Sequence, residues 1–346
     1  MKVFLTGATG FIGNALMRRV LDRGDEVRLL IRPGTPFPMK HPRIRIFRGS
    51  LEDAAILREG MRGCDAAFHL AAHVRVASKD RSLFDLVNLE GTRRVIEAAF
   101  QERVRKVVYT SSVVAIGPSA GAVADEETPR KTPYLTDYER TKALAEREIQ
   151  NAVQKGFPAV IVSPSLVYGP TDLFKRYSFN RFLSGFIEGK WVPIPGSGRQ
   201  VINPVYIDDV AEGHLLALEK GKIGENYILG GENVTINELA EAAGRLAKKK
   251  PSLWRLPFPV LKGLSRIELF LSKLQGREPR VTPGSLEIYR HDWAYSSAKA
   301  IRELGYRPTP LSKGLEKMAE WTLKEGKPAR KKIWNHPSFP GNPKNG

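Results

Sequence analysis

Apolar residues fall in short unbroken runs that alternate with stretches in which they return every three or four positions, and the two periods take turns through the first half of the chain. Residues 2–5 (K-V-F-L) form a run of strand character, and residues 11–23 follow with Ile12, Leu16, Val20 and Leu21 at helical spacing. Further runs at residues 26–31, 43–47, 64–72 and 104–110 predict four more strands, and V-I-V-S-P-S at residues 160–165 closes a sixth. Between them, Ser50-x-x-Asp53 has the form of a capping box opening a helix through Met61, and residues 82–103 make a long helical pattern carrying Asn88. Strands alternating with helices predict an α/β fold: a doubly wound parallel sheet with helices on both faces. The ligand crevice of such a sheet lies at the carboxyl ends of its strands, where Gly7, Arg32, Ala71 and Ser112 all fall.

Beyond residue 169 the pattern changes. Residues 174–189 are helix-like, residues 201–207 bring the chain back towards the sheet, and residues 209–220 read as a helix. Thr235-x-x-Glu238 is a second capping box, opening a helix that ends near Lys248-Lys-Lys-Pro251. The chain therefore divides into a doubly wound domain at 1–168, rejoined at about 204–224, a smaller lobe at 169–326 expected to close over a ligand, and a basic tail at 327–346 that composition predicts to be flexible. Residues 260–274 place Val260, Leu264, Ile267, Leu271 and Leu274 on one helix face, with Lys262, Arg266 and Lys273 elsewhere. The first reading is that this face packs over a substrate pocket; the second is a basic amphipathic helix in a membrane interface.

Composition changes this picture in two ways. The formal charge of +18 is concentrated at the end of the chain, where residues 241–346 hold 22 Lys and Arg against 9 Asp and Glu. Such a surface attracts anions of any kind, but zinc spacings, a helix-turn-helix signature and aromatic RNA-binding motifs are lacking, so nucleic acid is not an expected partner. The single cysteine, Cys64, heads an apolar strand and reads as a core residue. With a glycine turn already at residue 7 and no membrane-length apolar stretch, the expectation is a cytoplasmic protein, with contact at the inner face of a membrane left open.

The chemistry starts at residues 6–13, T-G-A-T-G-F-I-G. Gly7 permits a tight turn, Gly10 lets the backbone approach a pyrophosphate at the helix N-terminus, and Gly13 lets helix pack on strand. Three glycines at this spacing also make ordinary turns; placement between strand and helix favours a dinucleotide site. Arg32 stands where an NAD site would place an acidic residue, which suggests the 2′-phosphate of NADP(H), the other reading being a solvated arginine at a strand end and NAD. His69, inside an apolar strand, reads as a satisfied core histidine. Tyr138 and Lys142 share a helix face one turn apart, and an ammonium group there would bring the phenol's pKa down towards the working range. Ser112 could then hold a substrate carbonyl or hydroxyl while Tyr138 passes a proton. Tyr295-x-x-x-Lys299 repeats the spacing far from the sheet and reads as chance.

Taken in order, the glycine turn, Y-T-S-S at residues 109–112 and Tyr138-x-x-x-Lys142 resemble the extended short-chain dehydrogenase/reductase, or NAD-dependent epimerase/dehydratase, family, whose fold is of Rossmann type. Asn88-Leu-Glu-Gly-Thr matches the family's N-x-x-G-T segment. The resemblance implies catalysis by Ser112, Tyr138 and Lys142 with Asn88 supporting the lysine. It implies cofactor contacts at Gly7, Thr9, Gly10, Phe11, Ile12, Gly13, Arg32, Leu51, Ala71, Ala72, Tyr138, Lys142, Pro164 and Ser165, with no metal. It also implies a homodimer formed through residues 82–103 and 136–154. D-D-V-A-E-G-H-L-L-A-L from Asp208, Y-I-L-G-G-E-N from Tyr227 and G-R-E-P-R-V-T from Gly276 are most similar to hopanoid-associated sugar epimerases, a subgroup resembling dihydroflavonol reductases and 3β-hydroxysteroid dehydrogenases. Two departures matter. Ser50 stands where the family often has an adenine-contacting Asp, and nucleotide-sugar members carry an arginine for the diphosphate where this chain has Ile202. An isoleucine cannot pair with phosphate, which favours an apolar alcohol or ketone. The leading expectation is an NADP(H)-dependent oxidoreductase acting on a hydrophobic, lipid, terpenoid or steroid-like substrate; the alternatives are an NAD-retaining sugar epimerase or dehydratase and a non-catalytic nucleotide sensor.

Overall fold

A computed structural model describes residues 1–75, 78, 80–171, 178–190, 192–246, 253–279 and 281–324. Its centre is a seven-stranded, all-parallel sheet. The strands are β1 (Lys2–Thr6), β2 (Glu26–Ile31), β3 (Ile44–Arg48), β4 (Ala66–His69), β5 (Lys106–Thr110), β6 (Ala159–Pro164) and β7 (Asn226–Leu229). They lie side by side in the order β7-β6-β5-β4-β1-β2-β3. The order reverses at β1, whose neighbours are β2 and β4, so a crevice opens beyond the carboxyl ends of those strands.

Successive side chains point to opposite faces, and because the runs are largely apolar both faces are dry, except at the edge strand β3, where Arg45 and Arg48 are exposed. Val3, Leu5, Val27, Leu29, Ala66, Phe68, Val108, Val160 and Val162 enter one buried cluster with helix α1 (Phe11–Asp22) and the helix Ile207–Lys220. Phe4, Leu30, Ala67, Val107, Tyr109, Ala159 and Ile161 enter the opposite one. There they meet helices α2 (Ala54–Met61), α3 (Gly91–Gln101) and α4 (Asp137–Gln154). Strands buried on both faces are what a parallel sheet requires. A third cluster gathers the helices Ser178–Ile187, Ile236–Leu246 and Leu311–Lys324 with Phe11, Tyr168, Tyr206 and Ile207, so the C-terminal region is helical and is joined to the sheet through the first residue of α1.

Several sequence expectations change in detail. The capping box at Ser50 does not form: Asp53 is itself the N-cap of α2, accepting from the Ile56 amide at 3.1 Å, while Ser50 accepts from Glu52 in the preceding turn. The box at Thr235 does form, with Glu238 and Thr235 bonding each other's amides. The long helical pattern predicted over 82–103 is observed as one continuous helical run, Ser82 to Gln101, in which the segment Asp85–Glu90 is wound as a π-helix between Ser82–Phe84 and α3. The predicted helix over 174–189 is observed as Ser178–Ile187, while residues 174–177, the segment Lys248-Lys-Lys-Pro251 and the tail 327–346 lie outside the described residues. The largest correction concerns α5 (Phe258–Leu274): its apolar face is turned outward rather than laid over a pocket. Among the described residues, no helix is long and apolar enough to cross a membrane.

Candidate active site

The glycine turn is built as its spacing predicts. Gly7 has φ +82°, and a Cβ there would lie 2.7 Å from the Ala71 amide nitrogen; a Cβ on Gly13 would lie 2.2 Å from the Gly7 carbonyl oxygen. Both obstacles are backbone, so neither position can take a side chain without separating β1 from β4 or α1 from the turn. At Gly10 a Cβ would meet only the Gly7 carbonyl, at 3.1 Å. Gly10 is the N-cap of α1 and offers no side chain to its first-turn amides, which leaves that positive helix end available to an anion. Thr9 lies in the turn and Ile12 in the first helical turn, whereas the Phe11 ring is buried in the third cluster, so Phe11 serves the site through its backbone position.

The other cofactor candidates converge on the same sheet edge. Arg32 follows β2 in a turn closed by the Thr35 amide donating to its carbonyl at 3.1 Å, and its side chain is exposed. His73, just past β4, has its pKa lowered chiefly by burial and also by Arg75 and Arg32, while Glu278 opposes them; both arginines are thus near enough to His73 to act on its charge. Ala71 and Ala72 are half-buried in the same loop, and the Ala71 amide donates to Thr6 Oγ1 at 3.2 Å. Leu51 is buried against Gly91, where a Cβ would come within 2.6 Å of it. Pro164 ends β6, and among the described residues neither the buried hydroxyl of Ser165 after it nor the buried Nε2 of His73 has a hydrogen-bond partner. Buried polar atoms left so are costly without a ligand to meet them. A backbone cradle, an uncapped helix end, a pair of arginines and orphaned polar atoms along one edge fit a dinucleotide.

Ser112, Tyr138, Lys142 and Asn88 are brought together at the end of β5. Ser112 caps the short helix Val113–Ile116. Thr136 caps α4 by accepting from the Glu139 amide at 3.2 Å, which sets Tyr138 in the first turn, where its hydroxyl shares a hydrogen bond with Ser112. Lys142, one turn on, is buried and donates from Nζ to Tyr109 Oη at 3.0 Å and to the Thr110 carbonyl at 2.5 Å. Asn88 sits in the π-helical segment. Its Oδ1 accepts from the His73 amide at 2.6 Å and its Nδ2 donates to Thr141 Oγ1 at 2.9 Å, tying the loop after β4 to α4 beside Lys142. Single-turn π-helices commonly mark functional sites, and here the widened turn carries that asparagine inward.

The electrostatics correct one expectation. Burial pushes Tyr138 up to about 12, opposed by its hydrogen bond with Ser112, and burial pulls Lys142 down to about 7, opposed by Glu146. Tyr138 nonetheless keeps part of its surface accessible. The phenol is therefore not brought towards neutrality in this state, because desolvation outweighs any attraction and the ammonium is held by Tyr109 and Thr110 instead.

Three partners escaped the sequence reading. Glu146 continues the series Tyr138-x-x-x-Lys142 by one further turn, a visible signal; it accepts from Ser111 Oγ at 2.5 Å and Asn226 Nδ2 at 3.1 Å. Tyr109, inside an apolar run, is a buried core residue whose hydroxyl also meets Lys142. Arg130 gave no signal at all: from the loop before α4 its guanidinium pairs with buried Glu139 and donates to the carbonyls of Val114 and Thr132, at 2.7 and 2.9 Å. The second Tyr-x-x-x-Lys is structural. Tyr295 donates to the Gly117 carbonyl at 2.7 Å, bracing the helix that Ser112 caps, and Lys299 pairs with Glu225 at 2.6 Å. His69 is a satisfied core residue between Thr6 Oγ1 and Thr92 Oγ1, and buried Cys64, pushed up to about 11 by burial, contacts the Gly60 carbonyl. Ile202 lies in a two-residue strand and packs against the third cluster.

Comparison with known proteins points the same way. The model of the NAD dependent epimerase/dehydratase family matches residues 3–230. A putative dihydroflavonol 4-reductase of Synechocystis is 33% identical over 93% of this chain and 95% of its own. Sterol demethylase protein B of Methylococcus capsulatus is 30% identical over 94% of this chain and 99% of its own. The crystal structure of gox2253 superposes with a TM-score of 0.79 at 35% identity, covering 94% of this chain and 98% of that one.

Proposed function

The chain belongs to the NAD-dependent epimerase/dehydratase family and is an NAD(P)-dependent enzyme, and from that premise we propose that it is an NADP(H)-dependent reductase or dehydrogenase of a secondary alcohol or ketone on a hydrophobic substrate. The observation that carries the reading is the grouping of Ser112, Tyr138 and Lys142 at the end of β5, on the sheet edge that also carries the glycine turn after β1, with β4 between them. The nicotinamide, when bound, supplies or accepts the hydride. Ser112 and Tyr138 together hold the substrate oxygen, and in reduction the Tyr138 hydroxyl gives its proton to that oxygen. Lys142 stabilises the resulting phenolate and binds the ribose, while Asn88 fixes the distance between the loop after β4 and α4. Arg32, assisted by Arg75, receives the 2′-phosphate. A hydrophobic substrate is favoured by Ile202, which offers no charge to a diphosphate, and by the names of the sterol and dihydroflavonol relatives.

Cofactor choice tests Arg32 directly. Arg32→Glu is expected to weaken NADPH binding at least tenfold while leaving NADH binding within a few-fold, since a charge-assisted contact to phosphate contributes about 1.5–3 kcal/mol. Fluorescence titration with both nucleotides checks it; equal losses for both would remove Arg32 from the phosphate site.

The pH profile follows from the two shifted groups. Reduction needs protonated Tyr138 and charged Lys142. With Tyr138 at about 12 and Lys142 lowered to about 7, the phenol stays protonated throughout the working range and the lysine is the group that loses its charge. Reductive kcat/KM should therefore be full in mild acid and decline as pH rises through neutrality. A profile that rises with pH in that direction would assign the lysine another role.

A further inference from the structure

We propose that α5 docks the enzyme on an anionic lipid surface. This 17-residue helix divides into three stripes at the helical period. Ser265 and Ser272 lie on the buried stripe, facing the protein. Lys262, Arg266 and Lys273 form a second, exposed stripe. The third carries Val260, Leu264, Ile267, Phe270, Leu271 and Leu274, all exposed, with Ile267 at 57%, Phe270 at 62% and Leu274 at 69%. The protein has spent small residues on its own contacts and turned the large apolar ones outward, the reverse of a helix whose apolar face packs on a core. Trp254, 57% exposed on the strand that precedes the helix, adds an indole, the side chain that favours the boundary between headgroups and acyl chains.

Charge decides between occupants. Residues 254–279 carry Arg255, Lys262, Arg266, Lys273 and Arg277 against Glu268 and Glu278, a net +3, and Glu268 is already engaged by Arg277 through both oxygens. A second copy of this chain would bring one positive patch against another. An anionic bilayer satisfies both features: the apolar stripe enters the headgroup boundary and the basic stripe meets the lipid phosphates. The helix also leads towards the candidate active site, since Glu278, four residues past its end, is near enough to raise the pKa of His73. Docking is independent of the catalytic reading, because it is measured without substrate.

The test is flotation of the full chain with phosphatidylcholine vesicles, with and without one third phosphatidylglycerol, beside the double variant Ile267→Asp/Phe270→Asp. Thermal unfolding and NADPH binding should be unchanged, because both side chains are exposed. The wild-type protein is expected to float with the anionic vesicles, less so at about 0.5 M than at about 0.1 M salt, and the double variant to lose roughly tenfold or more of that binding. Absence of binding to the anionic vesicles overturns the proposal. So does binding that the double variant retains, which would place attachment elsewhere on the basic surface. A wild-type dimer that the double variant dissolves, without vesicle binding, would make a second copy the occupant and overturn it equally.

Discussion

Tyr138→Phe should lower kcat by about 10²–10⁴ while nucleotide affinity stays within a few-fold. The ring contributes packing in the first turn of α4 and the hydroxyl contributes a hydrogen bond with Ser112, so removing one oxygen leaves the helix and its Thr136 cap in place. The loss should fall on kcat, because a proton donor is needed in the transition state and not to hold NADPH. Stopped-flow hydride transfer beside equilibrium titration separates the two. Retained turnover would mean that another acid serves the substrate oxygen, and the neighbouring Ser112 would be examined next. The comparison variant is Lys142→Met, which should weaken cofactor binding as well as turnover, since the proposed role of Lys142 includes the ribose.

Glu139→Ala should destabilise the protein by about 3 kcal/mol, towards the lower end of the range for breaking a buried ion pair. Glu139 is 1% exposed, pairs with Arg130 and accepts from the Leu135 amide at 3.1 Å. Its loss leaves a guanidinium largely buried, though the carbonyls of Val114, Thr132 and Pro133 continue to accept from it. Those carbonyls belong to the turn capped by Ser112 and to the loop that delivers Tyr138, so the pair sets the distance between the two hydroxyls. Urea unfolding should show the lost stability, and kcat should fall as well. The double variant Arg130→Met/Glu139→Leu should recover most of the stability, because apolar replacement of both partners removes the desolvation penalty. It should not recover kcat, as the carbonyls of the Ser112 turn then lose their donor. Recovery of both would reduce the pair to a stabilising contact without influence on the site.

Legibility in the sequence followed the range of the interactions. The sheet was readable because its inner strands are unbroken apolar runs, as at Val3, Phe4 and Leu5, whose side chains enter opposite clusters. Gly7 and Gly13 were readable because the constraint is local and absolute: backbone stands where a Cβ would go. The site partners divide along the same line. Asn88 was found through its motif, but the π-helical turn that carries it was not, because an extra residue per turn leaves no mark in a periodicity of three or four. Arg130 was invisible because its role is created by Glu139, Val114 and Thr132, which surround it only after the loop has folded. The electrostatics of Tyr138 went the other way from expectation because spacing shows which groups are one turn apart and not how much water surrounds them. The outward face of α5 belongs to the same class: amphipathic spacing tells that a face is apolar, and only the fold tells which way it turns.

The nucleotide content of freshly purified protein, released by denaturation and identified by mass, tests the central claim most directly. A reductase that exchanges its cofactor each cycle, with Arg32 reading the 2′-phosphate, predicts well under one equivalent per chain, and NADP(H) rather than NAD in what is released. A full equivalent of tightly held NAD would contradict it and would instead mark an enzyme that returns the hydride to its own substrate.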